Sequence, residues 1–174
     1  MNYFEFYDIP VSFSLDEAAL KKTFYANSKR YHPDFFTLES EAKQNEILEL
    51  STRNTQAYKT LSNFDSRMKY ILDLKGALAE EGKNTLPQDF LMDMMDINEA
   101  IMELEFDFDE PMYHKAINDT QVIENQIFEE VKPIVETYQD GVTPQLDLEK
   151  VKIFYLKKRY LLRILENLSK FAPQ

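Results

Sequence analysis

The chain has 174 residues, of which 44% are hydrophobic, with three glycines, seven prolines, no cysteine and a net charge of −11. This composition supports a folded core of one domain or two small ones, and it excludes a turn-rich all-β fold, disulfide bonds and cysteine-based catalysis or metal binding. No long apolar run or signal peptide is present, so we expect a cytoplasmic protein that does not enter a membrane.

The first amphipathic helix is predicted to begin at about Leu15. A short apolar helix within residues 2–9 precedes it and ends at Pro10. The segment from Ser14 to Glu17 fits a capping box, in which a serine hydroxyl and a glutamate three residues later satisfy exposed backbone N–H groups.

This helix separates a core face from a basic face at about 100° per residue. The core positions are Leu20, Phe24 and Tyr31. The basic residues are Lys21, Lys22, Lys29 and Arg30. An ordinary solvated face is one interpretation of these charges. Because the stripe leads directly into His32-Pro33-Asp34, a docking face for an acidic partner is the favoured interpretation.

The tripeptide His32-Pro33-Asp34 is predicted to end the helix and to form a loop between two antiparallel helices, since proline cannot continue a helix. A polar loop on a stiff hairpin suits recognition of another macromolecule. Catalysis is disfavoured because a general base needs an orienting partner, and the chain has only one other histidine, His114. His-x-Asp alone supplies too few ligands for zinc. We therefore expect no enzyme activity, no metal and no cofactor; the alternative is a loop whose proline only breaks a helix.

The second long helix is predicted from about Glu39 to Leu61. Asn54 falls in its apolar register, and Asn27 lies on the apolar side of the preceding helix. We expect the two amides to pair by hydrogen bonding, because a lone buried amide would cost roughly 1–3 kcal/mol.

A domain junction is predicted after the third helical run, which starts at Asp65 and ends at Gly76, a residue suited to a left-handed cap. Residues 76–86 lose helical periodicity. We therefore expect one domain over residues 1–75 and a second over residues 87–174.

Acidic residues dominate the second half of the chain. Fifteen of them stand against two lysines between Glu80 and Glu130. This field repels nucleic acid and anionic membranes, so we expect neither as a partner and favour a basic protein.

Residues from about Pro87 to Phe106 are predicted to form a helix with two apolar faces. One face follows the spacing of a core stripe, at Phe90, Met94, Ile97, Ile101 and Leu104. A second set lies off this stripe, at Leu91, Met92, Met95 and Met102. A row of carboxylates borders it, at Asp96, Glu99 and Glu103. The second face either packs within the bundle or forms an exposed, adaptable surface for a protein partner.

Two further helices complete the predicted antiparallel bundle. One opens at Asp109-Glu110-Pro111 and is expected to kink at Pro133, with His114 in its first turn either facing solvent or capping a neighbour. The last is expected to be capped by Asp147 and to run to about Phe171.

The order of these features resembles a known family. A short helix, a basic helix, a His-Pro-Asp loop, a helix ending in Gln56-Ala57-Tyr58-Lys59-Thr60-Leu61 and a small last helix look like a J-domain over residues 1–75. Arg67-Met68-Lys69-Tyr70-Ile71-Leu72 and Phe90-Leu91-Met92-Asp93-Met94-Met95-Asp96 extend the resemblance to the HscB family of iron–sulfur co-chaperones. Phe35 departs from it, because lysine is more usual after the tripeptide.

The resemblance implies an all-α, non-enzymatic adaptor with an N-terminal J-domain and a C-terminal three-helix antiparallel bundle. Its J-domain would stimulate the ATPase of a heat-shock chaperone of the HscA or DnaK type. The residues matching that contact are His32, Pro33, Asp34, Lys22, Lys29 and Arg30. Its bundle would bind the scaffold protein IscU. The matching residues are Leu91, Met92, Met95, Asp96, Glu99 and Glu103, with an aromatic ring from Phe154 or Tyr155. A general J-protein with other clients, or a helical interaction protein unrelated to chaperones, are the alternatives.

Overall fold

The computed structural model describes residues 1–172, and all regular structure within them is helical. The predicted all-α class is confirmed. The elements are α1 Tyr3–Phe6, α2 Glu17–Arg30, a 3₁₀ turn Pro33–Phe36, α3 Glu41–Leu61, α4 Phe64–Leu74, α5 Gln88–Asp93, α6 Met95–Phe106, α7 Glu110–Thr137 and α8 Gln145–Ser169. None of the helices described is long and apolar enough to span a bilayer.

The chain forms two compact units. The first contains Met1–Lys75 together with the turn Tyr138–Thr143, and the second contains Gly76–Thr137 and the residues from Pro144 onward. Within the first unit, the Tyr138 ring packs edge-on against Phe13, with 4.9 Å between ring centroids. Asp140 in the same turn is ion-paired with Lys75.

Helix α2 begins two residues later than the sequence predicts. Its N-cap is Asp16, whose Oδ1 accepts a hydrogen bond of 3.0 Å from the Ala19 N–H. The Ser14 N–H is instead 3.2 Å from Ser12 Oγ, within the preceding loop. Aspartate caps a helix about as well as serine, so local propensity alone does not choose between Ser14 and Asp16 as the cap.

Asn54 on α3 is buried and hydrogen-bonded through both ends of its amide. Its Nδ2 donates to the Phe24 carbonyl and to Ser28 Oγ of α2, both at 3.1 Å. The Tyr7 hydroxyl donates to Asn54 Oδ1 at 2.9 Å. The predicted pairing with Asn27 is therefore wrong, because Ser28 and a backbone carbonyl take the amide protons and Asn27 is only half-buried.

Arg67 on α4 is buried and joins two other parts of the first unit. Its Nε donates to the Phe13 carbonyl at 2.9 Å, and its Nη1 donates to the Leu61 carbonyl at 2.6 Å. Burial lowers the pKa of Arg67. The charge-assisted bonds to the two carbonyls offset the loss of water around the guanidinium group.

The predicted helix over residues 87–106 is interrupted at Met94, which separates α5 from α6. The Met94 N–H is shared between the carbonyls of Phe90 and Met92, so the helix tightens locally there. The predicted core stripe survives this interruption. Its buried members are Phe90, Met94, Ile97, Ile101 and Leu104.

Helix α8 begins earlier than the sequence predicts. Pro144 precedes its first residue, Gln145, and no side chain caps the helix. The expectation that Asp147 caps it is therefore wrong, since Asp147 already lies inside the first turn. Proline holds φ near the helical value, here −58°, and so starts the helix without a capping side chain.

Candidate protein-binding surfaces

The first candidate surface, here called the loop surface, consists of His32, Pro33, Asp34, Lys22, Lys29 and Arg30. Helix α2 ends at Arg30, and Pro33 opens the 3₁₀ turn that follows. The His32 and Asp34 side chains are exposed, as the sequence predicts. His32 Nδ1 accepts a hydrogen bond of 3.3 Å from the Asp34 N–H and lies 3.8 Å from Asp34 Oδ2.

Helix α3 holds the far end of this loop. The Gln44 side-chain amide donates to the carbonyls of Thr37 and Glu39, at 3.2 and 2.9 Å. Phe35 is exposed, and its ring centroid lies 5.5 Å from that of His32. The loop therefore presents an imidazole, a carboxylate and an apolar ring from an anchored backbone.

The positive charges of the loop surface are available to a partner. Lys22, Lys29 and Arg30 are exposed, and none of them forms an ion pair within residues 1–172. The Arg30 guanidinium lies 5.3 Å from the centre of the Tyr31 ring. Opposite charge on an approaching protein would therefore meet cations that are not already neutralised.

The second candidate surface, here called the α5–α6 surface, consists of Leu91, Met92, Met95, Asp96, Glu99 and Glu103. Met92 and Met95 are more than half exposed, whereas Leu91 is half-buried. Beside this surface, Asn98 of α6 donates a 2.9 Å hydrogen bond to the Tyr160 hydroxyl within the second unit. The interpretation that the methionines pack within the bundle is therefore wrong for Met92 and Met95.

The carboxylates that border the α5–α6 surface are exposed and lack ion-pair partners in the described part of the chain. Lys115 is the nearby cation whose charge reaches Asp96. It is bound to Asp119, and this hydrogen bond is the main reason that the pKa of Lys115 is raised. Asp96, Glu99 and Glu103 thus keep a negative field around the exposed methionines.

The two aromatic candidates on α8 are both buried. Phe154 lies in the core near Phe128, with 5.9 Å between ring centroids. Tyr155 is buried with its hydroxyl 3.2 Å from Arg159 Nη1. Neither ring therefore adds an exposed aromatic face to the α5–α6 surface.

An exposed aromatic side chain does occur at the end of α6, although the residue pattern did not lead us to predict one there. Phe106 is 92% exposed, and Met102 one turn earlier is 61% exposed. Their spacing of four residues put them on one side of the helix. That spacing was the available signal.

The remaining histidine does not join either surface. His114 is exposed on α7, and its Nε2 lies 3.5 Å from Glu110 Oε1. Across residues 1–172, no group of three or more histidine, aspartate and glutamate side chains is arranged to hold a metal ion.

Comparison with known proteins shows which family the chain resembles. A family model described as the HSCB C-terminal oligomerisation domain matches residues 86–169. The co-chaperone protein HscB homolog of Psychromonas ingrahamii is 30% identical, over 96% of this chain and 98% of its own length. The co-chaperone protein HscB of Buchnera aphidicola subsp. Acyrthosiphon pisum is 39% identical, and the match spans 60% of that relative's length and 60% of this chain.

Two solved structures share the fold. The crystal structure of human co-chaperone protein HscB superposes with a TM-score of 0.75 and 28% identity, over 97% of this chain and 81% of the human chain. Chaperone HscB from Vibrio cholerae superposes with a TM-score of 0.62 and 24% identity, over 97% and 99% of the two chains. At that identity the second comparison supports the fold alone.

Proposed function

Because the chain belongs to the HscB family of co-chaperones, we propose that it stimulates the ATPase of a heat-shock chaperone of the HscA or DnaK type and delivers an IscU-type iron–sulfur scaffold protein to it. It does so in the cytoplasm, as an adaptor without catalytic activity of its own. The curated relatives named above are called co-chaperones. The observation that carries the proposal is the presence of two exposed surfaces of opposite charge, one in each unit.

The loop surface is the proposed chaperone contact. His32 and Asp34 are exposed, and they follow a helix face that presents Lys22, Lys29 and Arg30 without ion-pair partners in the described chain. An acidic face of the chaperone would be attracted by these cations and would then meet the imidazole and carboxylate of the loop. The anchored backbone limits the entropy lost on docking.

The α5–α6 surface is the proposed scaffold contact. Met92 and Met95 supply flexible, polarizable side chains that adapt to an apolar partner face. The carboxylates of Asp96, Glu99 and Glu103 steer a partner whose contact is edged with lysine or arginine.

Delivery follows from holding both partners on one chain. When the scaffold is bound to the second unit and the chaperone to the first, their encounter becomes intramolecular and its effective concentration rises. No chemical step by the adaptor is required. ATP hydrolysis belongs to the chaperone.

A pair of variants tests the division of labour. We expect His32→Gln to lower ATPase stimulation to the chaperone's basal rate while scaffold affinity stays unchanged, because the loop imidazole is far in sequence from α5 and α6. Steady-state ATP hydrolysis by the purified chaperone and calorimetric titration with the purified scaffold measure the two activities.

The reciprocal variant replaces Leu91, Met92 and Met95 together with serine. The loss of three apolar contacts of about 1 kcal/mol each should weaken scaffold binding roughly 100-fold. In the absence of scaffold, this variant should still stimulate the chaperone's ATPase. Failure of both variants in both assays would contradict the proposal.

A further inference from the structure

The apolar part of α6 continues beyond the residues assigned to the scaffold contact. Met102 is 61% exposed and Phe106 is 92% exposed. At about 100° per residue, positions 95, 102 and 106 fall within an arc of about 40°. From position 95 to position 106 there are eleven steps, and at a rise of about 1.5 Å per residue this line is about 16 Å long. We call Met95, Met102 and Phe106 the α6 stripe.

The α6 stripe is not used by the fold of the second unit. Helix α6 already buries Ile97, Ile101 and Leu104 on its opposite side. Single exposed apolar residues are common on protein surfaces and need no explanation. An almost fully exposed phenylalanine aligned with two exposed methionines is a different case, because aromatic and methionine side chains are enriched at protein interfaces.

The acidic residues beside the α6 stripe determine which kind of partner it can bind. Glu99 and Glu103 lie on the same side of α6, and no Lys or Arg occurs between Lys83 and Lys115. A second copy of the chain would bring two rows of carboxylates together, and that repulsion opposes self-association through the stripe. An apolar segment edged with lysine or arginine would meet complementary charge.

We propose that Met102 and Phe106 extend the scaffold-binding surface to the C-terminal end of α6, with Phe106 inserting into an apolar pocket of the scaffold protein whose rim carries lysine or arginine. This inference rests on the function proposed above, since it concerns the same partner. It assigns to Phe106 the exposed aromatic contact that the buried rings of Phe154 and Tyr155 do not provide.

The test is a calorimetric titration of the purified IscU-type scaffold protein into full-length variants. We expect Phe106→Ala to weaken binding about tenfold or more, and Met102→Ala to weaken it severalfold. The matched control is Leu146→Ala. Leu146 is 69% exposed in the first turn of α8, away from α6 in the chain, and we expect its replacement to leave affinity unchanged.

A variant within the original surface separates this inference from the proposed function. If Met92→Ser loses affinity while Phe106→Ala and Met102→Ala keep it, the extension is wrong and the scaffold contact stands. If the wild-type protein does not bind the scaffold at all, the proposed function is wrong. Sedimentation velocity adds a further outcome, because a wild-type dimer that Phe106→Ala converts to a monomer would assign the stripe to self-association and overturn the inference. Because Phe106 is almost fully exposed, thermal unfolding of the variant should match that of the wild type.

Discussion

Single polar residues fix how the helices of the first unit meet. Asn54 is held by α2 through Ser28 and the Phe24 carbonyl, and it accepts a hydrogen bond from the Tyr7 hydroxyl. Burial raises the pKa of Tyr7 well above its usual range, so the hydroxyl keeps its proton and remains a donor. Because a buried amide is costly without partners, this arrangement favours one register of α2 against α3 and so positions the loop between them.

We expect Asn54→Leu to lower the free energy of unfolding by about 1–3 kcal/mol, because the Phe24 carbonyl and the Ser28 hydroxyl lose their amide donor in a part-buried site. The Tyr7 hydroxyl keeps only the Asn54 backbone carbonyl, at 3.0 Å, as an acceptor. Urea unfolding at pH 7 measures the change. Asn27→Leu is the control, since the side chain of Asn27 is half-buried and forms no hydrogen bond within residues 1–172; its effect should stay within about 0.5 kcal/mol. Equal losses in the two variants would show that the buried network does not stabilise the unit.

At the scale of elements, the turn Tyr138–Thr143 belongs to the first unit, and its titratable residue Asp140 is ion-paired with Lys75. A hydrogen bond from Lys75 is the main cause that lowers the pKa of Asp140, and a second comes from the Tyr138 hydroxyl at 3.1 Å. Burial raises the pKa of Tyr138 to about 12, and its hydrogen bond to Asp140 contributes. The ionised carboxylate therefore stabilises the turn.

A lowered carboxyl pKa in the folded state predicts a definite pH dependence. The stabilisation is fully present above the pKa of an unfolded aspartate, about 3.9, and is lost as the pH falls through the lower folded value. We expect Asp140→Asn to reduce the free energy of unfolding at pH 7 by less than about 1 kcal/mol, because Asp140 is partly exposed to solvent. The difference between variant and wild type should shrink in urea unfolding at acid pH.

Lys75→Met supplies the control for this pair. In its background, Asp140→Asn should change the free energy of unfolding less than it does in the wild type, because the main partner of the carboxylate is gone. An unchanged effect would mean that Lys75 does not account for the stabilisation.

For the whole molecule, the distribution of charge matters more than the total of −11. Residues 1–75 are nearly balanced, with ten basic and eleven acidic side chains, whereas the rest of the chain carries ten and twenty. The loop surface, with its cations, thus favours an acidic partner. The α5–α6 surface, with its carboxylates, favours a basic one. One chain would bind both without the two partners competing for the same face.

The adaptor proposal requires both surfaces on one polypeptide. An equimolar mixture of His32→Gln and the Leu91, Met92 and Met95 triple serine variant has each surface intact on a different chain. We expect this mixture to leave scaffold transfer to immobilised, ATP-bound chaperone at the level seen without any adaptor, because the gain in effective concentration needs a covalent link. Transfer is measured as the amount of scaffold protein retained on the immobilised chaperone, at an adaptor concentration below saturation.

The wild-type protein at the same total concentration is the reference for that mixture. Full recovery of transfer by the mixture would show that the two contacts work on separate chains or within an oligomer.

Much of the local structure was determined by the sequence alone. Proline chemistry predicted that α2 stops before Pro33, and helical spacing predicted the buried row from Phe90 to Leu104. The same spacing left Met92 and Met95 off the core face, and the structure places them in solvent. These features follow from the chain itself because backbone geometry fixes the angle between successive side chains.

Only the tertiary structure decided between hydrogen-bond partners, and between buried and exposed positions, that local sequence could not tell apart. Asn54 donates a hydrogen bond to Ser28 rather than to Asn27. These two neighbours on α2 point about 100° apart, and the packing of α2 against α3 selects between them. Phe154, one of the two aromatic candidates, lies in the core, whereas Phe106 lies in solvent. Side-chain burial depends on which helices pack together, and periodicity within one helix does not carry that information.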